Sequence, residues 1–502
     1  MPTPSDLLKL QKSVLLLSQA KEQENSGNVA VAIQLYQQAI GTYPLNPAGY
    51  EALMALLTRH NDTANSERVL KAIPPALYAG SRKLQFQHAL LLIKQARHDD
   101  AITLLEKLEG SPELETARIH HLIGNCHNLQ QRIDKALAFY QKAYAAGLRT
   151  APFLKDWAGI YHQQGDIANA EKLYAEALRL YPDYEKLQYE YANFLLKAER
   201  YEQGFELYHH RWATTGEAHA LPNLPVWDGK TRIGSLLVIK EQGLGDQVLY
   251  SALLPAMLEK VGKVTAAFDI RLAPLLQRSY PGMEIATQNI PADEVVKKFD
   301  AHVTCADMGR FALDAIGWKY GYLKPDQARV GQLREKYRQL FPGKKLIGIS
   351  WNSKRGTCSE LKSTTLQSWR PILETPGCQF ISMQYGDVDE ELRKIQDSLG
   401  ITIYRDPDVD SFADIDGLAA QSHALDLVIS TSSSTAHVAA ATDARTWVIL
   451  PMGQALLWYW GYRDAETGWY PRTRLFRASA PTDWEPVLGR VAGALSEFLA
   501  AR

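Results

Sequence analysis

Ile233-Gly-Ser-Leu-Leu-Val-Ile239 and, one residue on, Glu241-Gln-Gly-Leu-Gly-Asp246 together decide the fold of the second half of this chain. The first segment reads as a buried strand, and Gln247-Val-Leu-Tyr-Ser-Ala-Leu-Leu-Pro-Ala-Met-Leu258 behind it has helical periodicity. Between them Gly243 and Gly245, next to Gln242, let backbone amides approach a ligand closely. Strand, glycine loop and helix in that order open an α/β unit. Asp246 falls where the helix begins and has two readings. It is a helix cap, or it is a carboxylate that does chemistry, because a loop built only for phosphate gains nothing from an anion at the helix N-terminus. A dinucleotide fingerprint is excluded by Val248 in place of the third glycine, and a P-loop by the lack of Gly-Lys-Ser/Thr.

Outward from this point the same alternation continues. Val264–Phe268, Ile285 and His302-Val303 read as strands, and a charged helix runs from Asp326 to Leu340. A second unit restarts at Lys345-Leu-Ile-Gly-Ile-Ser-Trp351 and continues through Phe380–Met383, Ile401–Tyr404, Leu425–Ser430 and Thr446–Leu450. Such alternation predicts parallel sheets covered on both faces, as two facing domains with a ligand cleft at the carboxyl ends of their strands.

The candidate site residues stand at those ends. Ser430-Thr-Ser-Ser-Ser-Thr-Ala-His437 follows a strand and opens a helix, so free amides with Ser432, Ser433, Ser434 and Thr435 form a phosphate receptor, and His437 offers a proton or hydrogen bond. The plainer reading is an N-cap run beside a packed histidine. Trp351 and Asn352 end the restarted strand, and Lys354, Arg355 and Lys362 compete to neutralise a diphosphate. Gln384 ends the next strand, where it is placed to read a nucleobase edge. Asp387/Asp389, Asp408/Asp410 and Asp414/Asp416 have D-x-D spacing but lie in charged, loop-like stretches, which argues against a metal role. Trp458, Trp460, Trp469 and Tyr470 either stack on a sugar or pack the terminal helix.

The first half is a repeat. Ala32, Tyr36, Ala39 and Pro44 recur as Ala170, Tyr174, Ala177 and Pro182, with a variant at Gly124, Ala136, Tyr140 and Ala143. The anchors Ala32, Ser66, Ala101, Ala136, Ala170 and Gly204 are spaced 34, 35, 35, 34 and 34 residues. That is the tetratricopeptide period of about 34 residues. Small anchors let paired helices approach, the tyrosines fill the seam, and Pro44 and Pro182 stop the second helix. Stacked pairs present a concave surface suited to peptides. The pairs His120-His121 and His209-His210 are expected to be solvated or packed rather than metal ligands.

Over 502 residues the net charge is −1, 46% of the chain is hydrophobic and 22% charged. This balance points away from nucleic acid. No apolar run reaches the ~20 residues of a membrane span, and Ser13 to Leu17 is too short for a signal core. Cys126, Cys305, Cys358 and Cys378 lack metal-ligand spacing. A reduced, cytoplasmic protein is expected.

Together these residues resemble a known family. The first half looks like tetratricopeptide arrays. The second resembles bacterial glycosyltransferases related to the lipopolysaccharide heptosyltransferases and, more distantly, to the O-linked N-acetylglucosamine transferases. The motifs are Glu241–Asp246, Gly348-Ile-Ser-Trp351, Ser382-Met-Gln384, Asp426–Ser430 with Ala436-His437, and Trp469-Tyr-Pro471 with Leu475-Phe-Arg477. The resemblance implies a fold of class α + α/β, an α-solenoid followed by a GT-B pair of Rossmann-like domains. The divisions are repeats over 1–221, an acceptor-side domain over 222–340, a donor domain over 341–480 and a terminal helix over 481–502. It implies inverting transfer of a sugar from a nucleotide-sugar co-substrate, with no cofactor or metal. Asp246 and His437 are then the catalytic pair and Lys362 a donor contact. Ser432 stands where the family usually has aspartate, which leaves the donor open. The acceptor is a protein, flagellin or another surface protein, recruited by the repeats. The alternatives are an inactive repeat scaffold, or a transferase acting on a glycan or lipid-linked acceptor.

Overall fold

The computed structural model describes residues 3–215, 221, 223–313, 321–353, 359–470, 472–480 and 482–501, without the side chains of 215, 292, 293 and 454. The chain divides into two compact units, Met1–Ile160 and Tyr161–Arg502. The helical repeats therefore do not end where the first unit does. Residues 161–208 still carry the repeat pattern yet belong to the same compact body as the α/β half.

Helix pairs form where the anchors predict them. Ala32, Ser66, Ala101, Ala136 and Ala170 are fully buried, as are Tyr36, Tyr140 and Tyr174. A Cβ on Gly124 would lie 2.4 Å from the Tyr140 ring, and one on Gly204 2.7 Å from Leu196, so the smallest residue is needed at both. Caps fix the helix starts, with Asn46, Asp62, Ser81 and Asp166 each accepting a first-turn amide. The turn inside each repeat is also periodic. Gly27, Asn61, Ala96, Gln131, Gly165 and Glu199 all have positive φ, between 56° and 80°. The residue after each donates its amide to a carbonyl five positions back, as in Asp62 to Leu57 and Arg97 to Leu92. This is the Schellman ending of a helix. Only two of these positions are glycine, so the others hold a left-handed conformation that an L side chain resists.

The α/β half holds two sheets, all of whose pairings are parallel. The first has β1 (Leu236–Ile239), β2 (Val264–Ala267), β3 (Glu284–Ile285) and β4 (Ala301–Thr304), in the order β3-β2-β1-β4. The second has β5 (Lys345–Ser350), β6 (Cys378–Ser382), β7 (Tyr404–Arg405), β8 (Leu427–Thr431), β9 (Thr446–Leu450) and β10 (Arg474–Arg477), in the order β10-β9-β8-β5-β6-β7. Both orders reverse direction beside their first strand, so the switch points lie at β1/β4 and β5/β8. The fold is the expected one, helical repeats followed by paired parallel α/β sheets.

Three local expectations are corrected. The helix expected over 247–258 is two helices, Leu244–Ser251 and Leu254–Val261, because Pro255 cannot continue the first. Helix Gln327–Leu340, expected to close the first α/β unit, packs on helix Ile415–Ala424 of the second through Arg329–Asp414 and Tyr337–Gln421 bonds. Strand β10 was not expected as a strand. The boundary segment around Pro222 lies partly outside the described residues.

Ala96→Gly should raise the stability of the first unit and Gly27→Ala should lower it, each by about 1 kcal/mol. Urea midpoints of the two variants against the parent chain check this; equal midpoints would remove the backbone argument.

Candidate active site

The loop after β1 is fixed from below by charge. Glu241 accepts a bond from Arg211 Nη2 at 2.8 Å, and Arg211 Nη1 donates to Asp307 at 2.8 Å. Arg211 also donates to Thr304 Oγ1, whose hydroxyl bonds Asp307. All three charged side chains are at most 9% exposed. One guanidinium therefore faces two carboxylates. Asp307, which also takes the Thr304 hydroxyl, is held below the usual carboxylate range, while burial pushes Glu241 up. Gln242 sits at φ 59°, and its amide donates to the Tyr208 hydroxyl. Arg211 and Tyr208 come from the last repeat helix and the turn after it, so that repeat shapes the loop.

Helix Leu244–Ser251 then begins at Gly243, whose amide donates to Asp246 Oδ2 at 3.0 Å. Asp246 thus caps the helix from its third position, as the acidic half of a capping box. It also faces a cavity, and burial raises its pKa above 3.8 against the opposing pull of the Gly243 amide and the Lys362 charge. The two readings of this residue are compatible.

The opposite wall follows β8. Ser433 precedes helix Ser434–Ala441, whose N-terminal amides open toward the cavity. This helix packs directly on Leu244–Ser251, and the contact point is Gly245 against His437. A Cβ on Gly245 would lie 2.7 Å from His437 Cδ2. His437 is 2% exposed, its Nδ1 is 2.8 Å from the Tyr470 hydroxyl, and Tyr459 and Trp460 enclose the ring. Burial, with Lys362's charge adding to it, pushes its pKa down to about 3. At neutral pH His437 is uncharged. It can donate a hydrogen bond but is a poor source of a proton.

The cavity between these walls has a volume of about 330 Å³. Gln242, Gly243, Gly245 and Asp246 line it on one side; Ser432, Ser433, Ser434 and His437 on the other. Lys362, in a short turn after β5, completes it. Ser432 Oγ also accepts the indole N–H of Trp460 at 2.9 Å.

Other candidates fall outside this lining. Gln384 is 2% exposed, and its oxygen accepts from the amides of Trp351 and Asn352 while its nitrogen donates to the Asn352 carbonyl. It ties the ends of β5 and β6 together and presents no edge to a base. Trp351 is fully buried and donates to Glu391; Asn352 accepts from Ser363; Thr435 is 1% exposed inside its helix. Lys354, Arg355 and Pro471 lie outside the described residues. Asp389, Asp408, Asp414 and Asp416 form ion pairs with Arg405, Lys336, Arg329 and Arg278. The aromatic cluster packs on the last repeat helix and around His437 rather than on the terminal helix. Trp458 meets Phe205 and Tyr208, and Trp469 meets Tyr201, all on the last repeat helix.

Residues that the sequence motifs did not flag also reach the cavity. Asp269, just past β2, holds Arg271 through two 2.8 Å bonds, and Arg271 Nη1 donates to the Phe412 carbonyl at 2.9 Å. Tyr385 and Phe412 stand beside them with ring centroids 6.3 Å apart. The only sequence signal was position, at the carboxyl end of a strand.

Tetratricopeptide-repeat family models match residues 86–149 and 161–208. Protein FlbA of Caulobacter vibrioides is 27% identical over 546 residues, 99% of this chain and 88% of that protein. The human protein O-mannosyl-transferase TMTC1 is 26% identical over 167 residues, 33% of this chain and 19% of that protein. Among solved structures, a glycosyl transferase family 9 protein from Veillonella parvula has a TM-score of 0.39 at 12% identity, covering 53% of this chain and 96% of that one. A tetratricopeptide protein of Thermus thermophilus has a TM-score of 0.32 at 20% identity, covering 37% and 99%.

Arg211→Met would leave two buried carboxylates without their cation. It should destabilise the second unit by about 3–5 kcal/mol. Denaturant unfolding followed by tryptophan fluorescence measures this, and a loss under 1 kcal/mol would mean the cluster behaves like a surface pair.

Proposed function

We propose that this protein is a glycosyltransferase that moves a sugar from a nucleotide-sugar donor to a protein acceptor, with inversion and without a metal. The observation that carries the reading is the single cavity in which Asp246 faces both a helix N-terminus and Lys362. An acceptor hydroxyl attacks the anomeric carbon as Asp246 takes its proton, and the bond from that carbon to the phosphate oxygen breaks with its electron pair leaving on the diphosphate. The amides ahead of Ser434–Ala441, the Ser433 and Ser434 hydroxyls and Lys362 stabilise the departing anion. His437, uncharged, contributes a hydrogen bond. The raised pKa of Asp246 supports the base role, since an ordinary aspartate is a weak base. The repeats recruit the acceptor, flagellin or another surface protein, with peptide binding the usual task of such arrays. Among the described residues no helix is long and apolar enough to cross a membrane.

An inactive repeat scaffold is the competing reading. It is favoured by Ser432, which lacks the carboxylate of related enzymes and whose oxygen is engaged by Trp460. Titration of a panel of nucleoside diphosphates into the parent chain and into Lys362→Ala separates the two, because a transferase loses affinity at the Asp246 cavity in the variant and a scaffold shows no difference.

Asp246→Asn should lower turnover by about 10²–10⁴-fold and leave nucleotide affinity within a few-fold. Steady-state kinetics and calorimetry decide; unchanged turnover would end the assignment. The base must be ionised to act, so kcat/KM should rise with pH along an acid limb whose midpoint lies above 3.8. A limb at or below that value would show that Asp246 is not the titrating group.

A further inference from the structure

A second cavity, of about 620 Å³, lies at the carboxyl ends of β9 and β10. Its wall is unusually basic. Arg474, Arg477 and Arg490 line it, against one carboxylate, Asp464. Arg477 donates through Nε and Nη2 to the carbonyls of Arg463 and Trp460, but its buried Nη1 has no hydrogen-bond partner among the described residues. Arg490 donates to the Arg477 carbonyl, and Arg474 lies over the Trp447 and Phe476 rings. Behind Tyr462, which also lines the cavity, Lys197 is 2% exposed with its ammonium 5.0 Å from that ring. Burial, with Arg477's charge adding to it, pushes Lys197 down to about 7, and burial pushes Arg477 down to about 10.

Buried cations ordinarily have carboxylate partners, because leaving them without one is costly. The Arg211 cluster follows that rule; here Lys197 is buried and Arg477 half-buried with no carboxylate bonded to either among the described residues, while Arg474 and Arg490 are exposed. The missing counter-charge points to an anionic ligand. Forked guanidinium groups suit tetrahedral oxyanions, and several of them around one cavity exceed what a lone carboxylate needs. The volume is that of a small-molecule site. We propose that this cavity binds a diphosphate-bearing small molecule at a site separate from the Asp246 cavity. The two sites meet at Trp460, whose carbonyl takes Arg477 and whose indole reaches Ser432. The inference does not depend on the transferase reading.

The test uses the full chain carrying Lys362→Ala, which weakens phosphate binding in the Asp246 cavity, and inorganic pyrophosphate as probe. Calorimetry should still detect binding. Adding Arg474→Ala and Arg490→Ala, both at exposed positions, should weaken it by about tenfold or more. Hydrogen exchange should show pyrophosphate protecting residues 474–479. ADP and UDP form the second arm: tighter binding than pyrophosphate assigns a nucleotide as the ligand, and equal binding assigns a free diphosphate. Absence of binding in Lys362→Ala, indifference to the arginine substitutions, or binding of polyglutamate with none of pyrophosphate would overturn the proposal.

Discussion

The site depends on how closely two helix N-termini can approach. Leu244–Ser251 and Ser434–Ala441 come from different sheets, and they meet where Gly245 leaves room for the His437 ring. Any side chain at that point would push the helices apart and open the cavity. Two positive helix ends side by side would repel, so one must be neutralised. Asp246 does this for its own helix by taking the Gly243 amide, which leaves the other end for an anion. Uncharged His437 adds no further positive charge between them.

This geometry is supported from the repeat side. Arg211 and Tyr208 hold Glu241 and Gln242, while Phe205, Tyr208 and Tyr201 pack the Trp458/Trp469 cluster. The last repeat is therefore part of what holds the loop after β1 in place. It follows physically that residues 161–208 fall in the same compact unit as the sheets. Ala192 and Leu196 of helix Glu185–Lys197 and Phe205 and Tyr208 of helix Tyr201–Tyr208 lie in one core with residues of both sheets, among them Val238 and Val428.

Much of the fold was legible because it is written in local patterns. Small anchors at a fixed spacing revealed the repeats, and apolar runs such as Lys345–Trp351 revealed buried strands. Strand β10 escaped because only Leu475 and Phe476 are apolar between two arginines at a sheet edge. The turn residues Asn61, Ala96, Gln131 and Glu199 escaped because positive φ is usually signalled by glycine, and here it accompanies the helix-ending hydrogen bond made by the next residue. At the site, residues next to glycine loops and helix starts were found from motif context: Asp246, Lys362, Ser433, Ser434 and His437 line one cavity. Gln384 and Trp351 sit at the correct strand ends, but only the β5–β6 pairing reveals that their polar atoms are already engaged. Asp269 and Arg271 belong to no motif and needed the folded chain to be seen.

The central claim is that the N-terminus of Ser434–Ala441 and Lys362 receive a diphosphate opposite Asp246. A crystal structure of the chain with a bound nucleoside diphosphate tests this most directly. The account predicts phosphate oxygens on the amides at the start of that helix and near Lys362, with Asp246 across an open space large enough for a sugar. A diphosphate bound elsewhere, with this cavity empty at saturating nucleotide, would contradict it.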